Sequence, residues 1–187
     1  MGKIVSAERG TTTTVVCAMN AAGHYIPPVF LFKRQKMNDR LTRNCPVGSI
    51  GLPSPSGWMD YELFIKYMDH FIKFAKLSET NPLLLLVDGH GHSSHKSLSL
   101  IDFAREKYIT IVTFPPHTSH RLQPLDLTVF GPLKTACNKV IDGWLVSNPG
   151  KRVTDYELTE NFAKAYNRVC SIEKAVIGFQ VSGICPL

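Results

Sequence analysis

LLLLVDGHGHSSH at residues 83–95 and YITIVTF at residues 108–114 decide the fold. The first contains an apolar run of strand length, and the second is a β-branched and aromatic segment of strand length. Between the two, residues 94–107 keep helical spacing through Leu98, Ile101, Phe103 and Ala104. Strand, helix, strand in that order is a βαβ unit, which demands a parallel pair and a right-handed crossover. The unbroken apolar run 83–87 predicts a strand buried on both faces of its sheet. The run ends in Asp88. An acid at the carboxyl end of such a strand faces the crevice where α/β sheets hold ligands, and Gly89 lets the backbone turn sharply away. Position alone supports equally a cap on the following turn.

Outward from this unit, residues 11–19 (TTTTVVCAM) are β-branched and read as a strand. Asn20-Ala-Ala-Gly23 reads as a turn and residues 25–32 (YIPPVFLF) as a second strand, so the two form a hairpin. Pro27-Pro28 pushes the second strand toward an edge or a bulge. Residues 33–43 are basic and polar, and residues 44–57 are a loop punctuated by glycine and proline. Asp60 caps an amphipathic helix whose stripe is Phe64, Tyr67, Met68, Phe71, Ile72 and Ala75. Downstream, residues 115–125 form a loop and 126–146 a long helix, loosened at Gly131-Pro132. Asn148-Pro149-Gly150 is a turn. Residues 154–170 form a helix with Thr154 as N-cap, and 172–179 a short helix or turn. The order gives a mixed α/β domain, with residues 1–147 as its core and 148–187 as a C-terminal helical extension.

The 187 residues are 44% hydrophobic and 19% charged, enough for one apolar core. That balance excludes a disordered tail, a collagen-like chain and a coiled coil. The longest aliphatic run, 83–87, is far short of the roughly 20 residues of a membrane helix, so no membrane span is expected. Net charge is +6, and a basic excess favours anionic partners, nucleic acid first. The cluster Lys33, Arg34, Lys36, Arg40 and Arg43 is the candidate DNA contact, with a solvated basic face as the equal alternative. Five scattered cysteines without a C-x-x-C pair fit a reducing compartment.

Three groups could carry chemistry. Asp88 is the first. The second is the run of histidines from His90 to His120. With no cysteine nearby, it fits loop hydrogen bonding and support of a catalytic aspartate, through His95 or His120, better than a zinc set. The third is Asp126, in the first turn of the long helix after a proline-stiffened loop. The helix dipole favours an anion there, and a plain helix-terminal acid is the bland alternative. If the two strands are neighbours, Asp88 and Asp126 reach the same sheet end and would hold Mg²⁺ (or Mn²⁺), a hard ion usually bound by one or two carboxylates plus phosphate oxygens.

Several segments, in order along nearly the whole chain, carry a resemblance. They are Glu8-Arg9-Gly10 before the Thr-rich strand, Asn20-Ala-Ala-Gly23 with Pro27-Pro28, Gly57-Trp58-Met59 and Asp88-Gly89-His90 with Ser94-His95. Further on come Pro115-Pro116-His117-Thr118-Ser119-His120, Gln123-Pro124-Leu125-Asp126, Phe130-Gly131-Pro132-Leu133-Lys134, Gly178-Phe179 and Gly183-Ile184-x-Pro186. In these the chain resembles the catalytic domain of the pogo/Tigger/jerky branch of transposases, which are DDE-superfamily endonucleases.

The resemblance implies a ribonuclease-H-like mixed sheet flanked by helices, Mg²⁺- or Mn²⁺-dependent cleavage and strand transfer on DNA, and a nuclear setting. Self-association is a further expectation. The resemblance also implies an Asp/Asp/Asp triad, with Asp88 matching the second member and Asp126 the third. His95 matches the family's histidine after the second aspartate. The family's first aspartate lies in a strand upstream of the Glu-Arg-Gly stretch, and residues 1–7 (MGKIVSA) hold no acid. The expectation is therefore a domain without its first catalytic strand. It would be either a metal-dependent DNA endonuclease domain or, alternatively, a domesticated, inactive module that associates with DNA or oligomerises.

Overall fold

The computed structural model describes residues 2–5, 12–88 and 98–185. The architecture is mixed α/β, with a four-stranded mixed sheet, a two-stranded parallel sheet and accompanying helices, a set compatible with a ribonuclease-H-like arrangement. The chain divides into two compact units, Met1–Trp58 with Pro124–Leu187, and Met59–Gln123.

In the first unit the strands run in the order β1 (Gly2–Val5), β2 (Thr12–Met19), β3 (Tyr25–Phe32), β4 (Ile50–Pro53). The expected hairpin is β2–β3. Asn20 builds its turn by accepting from the backbone N–H groups of Ala22 and His24 at 3.1 and 2.9 Å. The two prolines make a bulge. Val16 pairs with Val29 and Ala18 with Ile26, so Pro27 and Pro28 together face Cys17. The parallel ladder to β4 begins only at Val29, so neither proline owes it an N–H. Beyond the bulge, Val29, Phe30, Leu31 and Phe32 are all fully buried.

Strand β4 lies where the sequence predicts only loop. IGLP has weak strand propensity, and the edge of β3 supplies the pairing. Gly51 fits because a β-carbon there would meet Met37, Thr42 and Phe32 at 3.0 Å or less.

The predicted long helix is two. α4 (Pro124–Thr128) stops at Val129 and α5 (Phe130–Ser147) begins anew. The break falls before Gly131-Pro132, so Pro132 sits in the first turn of α5, where a missing N–H costs nothing. α6 (Asp155–Val169) starts at the expected cap, Thr154, which forms a capping box with Glu157. α7 (Ile172–Val181) follows, with Ser171 as its cap. α5 and α6 close over the hairpin. Phe30 meets Phe162 edge to face at 5.2 Å, and Val15, Phe32, Leu133, Cys137 and Val169 complete one core. Burial there pushes the Cys17 thiol up to about 12 and Cys137 up to about 11.

In the second unit α1 (Tyr61–Ala75) begins as predicted, with the Asp60 carboxylate accepting from Leu63 N–H at 2.9 Å. Its buried face is Leu63, Phe64, Tyr67, Met68, His70 and Phe71. β5 (Leu83–Val87) and β6 (Ile109–Thr113) pair in parallel from Leu83–Ile109 to Val87–Thr113, with α2 (Leu98–Glu106) between them in sequence. This is the predicted βαβ order. Residues 94–97 of the predicted helix lie outside the described residues. The expectation of a strand buried on both faces fails, because Leu85 is 8% exposed but Leu84 is 58% exposed. Leu84 shares its face with Thr110 and with Val112, itself 44% exposed.

Candidate active site

Asp88 follows the last residue of β5 and is half-buried. The β6 end lies beside it, since Phe114 N–H donates to the Val87 carbonyl at 3.0 Å. The chain then turns back at once. Pro115-Pro116 stiffens the exit, and Thr118 Oγ1 donates to the Pro115 carbonyl at 2.7 Å. His117 takes a left-handed backbone, φ 63°. Arg121 and Leu122 N–H both return to the Thr118 carbonyl at 2.8 Å. The turn opens the short helix α3 (Ser119–Leu122), and Ser119 Oγ donates to Asp88 Oδ1 at 3.1 Å. The loop after one strand thereby fixes the carboxylate at the end of the other. Parallel strands put their carboxyl ends on one side, so two segments far apart in sequence meet there.

Asp126 is exposed on α4, in its first turn. It belongs to the first unit and Asp88 to the second. His120 is exposed. Gly89 and His95 lie outside the described residues. Of the basic cluster, Lys33, Lys36, Arg40 and Arg43 are exposed, while Arg34 pairs with Asp155 at 3.6 Å. Asp155 also accepts from Thr13 Oγ1 at 3.4 Å, so Arg34 ties the start of α6 to the hairpin. Asn38 and residues 39–42 form a 3-10 turn that displays Arg40, capped by the Asn38 side chain.

Among the described residues no three His, Cys, Asp or Glu side chains gather into a group that could hold a metal ion. Taken one by one, the two aspartates are donors of the type a hard divalent cation takes. Asp88 and Asp126 are carboxylates, and Mg²⁺ accepts as few as one or two of these, completing its shell with water and phosphate oxygens. The sequence places Ser119 in the Pro115–His120 segment but gives it no role. Its link to Asp88 follows only once β5 and β6 are known to be adjacent and in register.

Residues 9–171 match the family described as DDE superfamily endonuclease. The chain belongs to that family. It is also similar, at 30% identity over 186 residues, to a protein of Cochliobolus lunatus named MFS-type transporter clz9. The match takes in 99% of this chain and 20% of that protein. No solved structure matches the chain.

Proposed function

We propose that the chain is a transposase-derived nuclease domain of the pogo/Tigger/jerky branch, acting on DNA in the nucleus, in which Asp88 and Asp126 supply carboxylates to Mg²⁺ or Mn²⁺. The observation that carries the reading is Asp88, set at the carboxyl end of a parallel strand and held there by the Ser119 hydroxyl. When bound, the metal would activate the attacking hydroxyl and stabilise the leaving oxygen of a phosphodiester. Ser119 holds one carboxylate oxygen and so limits rotation of Asp88. Lys33, Lys36, Arg40 and Arg43 meet phosphates by charge and hydrogen bonding without reading bases.

A module that binds without cutting is the second reading. It is favoured by the exposed Lys33, Lys36, Arg40 and Arg43, which can meet phosphates without any metal. The transporter name of the Cochliobolus lunatus relative finds no support here. The match spans a fifth of that protein, and among the described residues no helix is long and apolar enough to cross a membrane.

Two measurements on the purified chain test this. Mn²⁺ binding should be lost in Asp88→Ala and in Asp126→Ala, and unchanged binding in both variants would refute the metal assignment. Nicking of supercoiled DNA should be slow, since the family's triad has three carboxylates and two are assigned here. Efficient Mg²⁺-dependent nicking, abolished by Asp88→Ala, would eliminate the non-cutting module. DNA binding should fall steeply with salt, with a log–log slope of about −0.9 per phosphate contact.

A further inference from the structure

Asp126 rides on a helix of five residues. One turn and a half of helix has little stability of its own, so the position of Asp126 is set by what α4 leans on. That support is α7. Thr128, on the same short helix, brings its hydroxyl 2.8 Å from the Lys174 carbonyl of α7 and 3.2 Å from the Pro124 carbonyl. Four residues beyond Lys174, and so on the same face of α7, comes Gly178. A β-carbon at 178 would stand 2.7 Å from Thr128 Oγ1, 3.0 Å from the Pro124 carbonyl oxygen and 3.1 Å from Met19 Cε.

A glycine inside a helix costs backbone entropy that alanine would not. At Gly143 of α5 nothing lies within 4 Å, whereas at Gly178 the backbone of α4 occupies the space. The other end of α7 is tied to the hairpin. Tyr25 OH donates to the Ser171 carbonyl at 3.1 Å, and Gly23 admits Ile172 so closely that a β-carbon there would collide with Ile172 Cγ2. The helix is thus braced against the sheet at its start and against α4 further along.

We infer that Gly178 and Thr128 are positioning residues for Asp126: the missing side chain at 178 lets α7 approach α4, and the Thr128 hydroxyl locks the two together. The inference rests on the reading of Asp126 as a metal ligand. A methyl group at 178 would push on the Pro124 carbonyl and on Thr128, displacing the helix that bears the carboxylate. Residues that orient a ligand from behind typically change metal affinity by roughly 10–100-fold when altered.

The test uses the whole chain and the variants Gly178→Ala, Thr128→Val, Thr128→Ser and Asp126→Ala. Mn²⁺ affinity is read by electron paramagnetic resonance, and the melting midpoint is taken in chelator. A purely structural role would lower the midpoint and leave the affinity of the folded chain alone. The expected result is a loss of roughly tenfold or more in affinity for Gly178→Ala and Thr128→Val, well below their midpoints, with the affinity restored in Thr128→Ser. If Gly178→Ala does not fold, the Thr128 pair decides, because valine keeps the shape and removes only the hydroxyl. Parental affinity in folded Gly178→Ala and Thr128→Val, alongside lost binding in Asp126→Ala, overturns the positioning role. Parental affinity in Asp126→Ala overturns the ligand assignment itself, and the positioning role falls with it.

Discussion

β3 and β5 are both apolar runs, and they end in opposite circumstances. From Val29 to Phe32 no residue of β3 is exposed. It has a strand on each side, and two helices cover it through Phe162 and Leu133. β5 has the more hydrophobic sequence, yet Leu84 stays largely in water and of its five residues only Leu85 is buried. Composition does not bury a strand; neighbours do. In β3 the apolar surface is used for stability, whereas in β5 the strand mainly carries Asp88 to its place.

The largest test of this contrast is a pair of truncations. Phe30→Ala should cost about 3–5 kcal/mol, as for deletion of a fully buried aromatic ring. Leu84→Ala should stay within about 0.5 kcal/mol, the usual range for an exposed side chain. Denaturant titration of both variants checks this, and equal losses would break the comparison.

Thiol chemistry gives a second probe of the same core. Cys185 is exposed, while Cys17 and Cys137 are buried with their thiols pushed up to about 12 and about 11 by desolvation. Thiolate is the reactive form. A disulfide reagent at neutral pH should label Cys185 first and reach Cys17 and Cys137 only on unfolding. Fast labelling of Cys17 would mean that the core opens readily.

The smallest effect is a surface one. The Lys164 ammonium, hydrogen-bonded to Glu160 at 2.9 Å, lowers that carboxyl below its ordinary value, with a smaller contribution from Asn44. A lowered carboxylate contributes stability above its unfolded value, and that contribution is lost as pH falls through the folded one. Both side chains are about half exposed, so solvent screening leaves about 0.3–0.5 kcal/mol. Lys164→Met should lower the melting midpoint slightly at pH 7, and the difference should vanish in acid.

Much of the βαβ unit was legible because its signals are local. A five-residue apolar run, a helical stripe and another short run leave one reading. Thr154 and Asp60 were legible as caps for the same reason, since a side chain that accepts from N–H groups two or three residues on belongs to local sequence. β4 was not, because Gly51 and Pro53 argue for loop and only the neighbouring edge of β3 makes them a strand. The exposure of Leu84 was not, because it depends on what covers a face. Asp88 was visible as an acid ending a strand. Its partner Ser119 was not, since their meeting needs the register of β5 against β6. Gly178 was legible as part of a resemblance, but the space it vacates exists only once α7 lies on α4.

The first unit is assembled from both ends of the chain, and this has a consequence for synthesis on the ribosome. Tyr25 and its acceptor at Ser171 are 146 residues apart. At about 5–20 residues per second, the hairpin waits roughly 7–30 s for the helices that close over it. Phe30 is without Phe162 for most of that interval, while the contiguous residues 59–123 meet their own partners as they emerge. The nascent chain is therefore most vulnerable to aggregation at the segment that later becomes its most deeply buried.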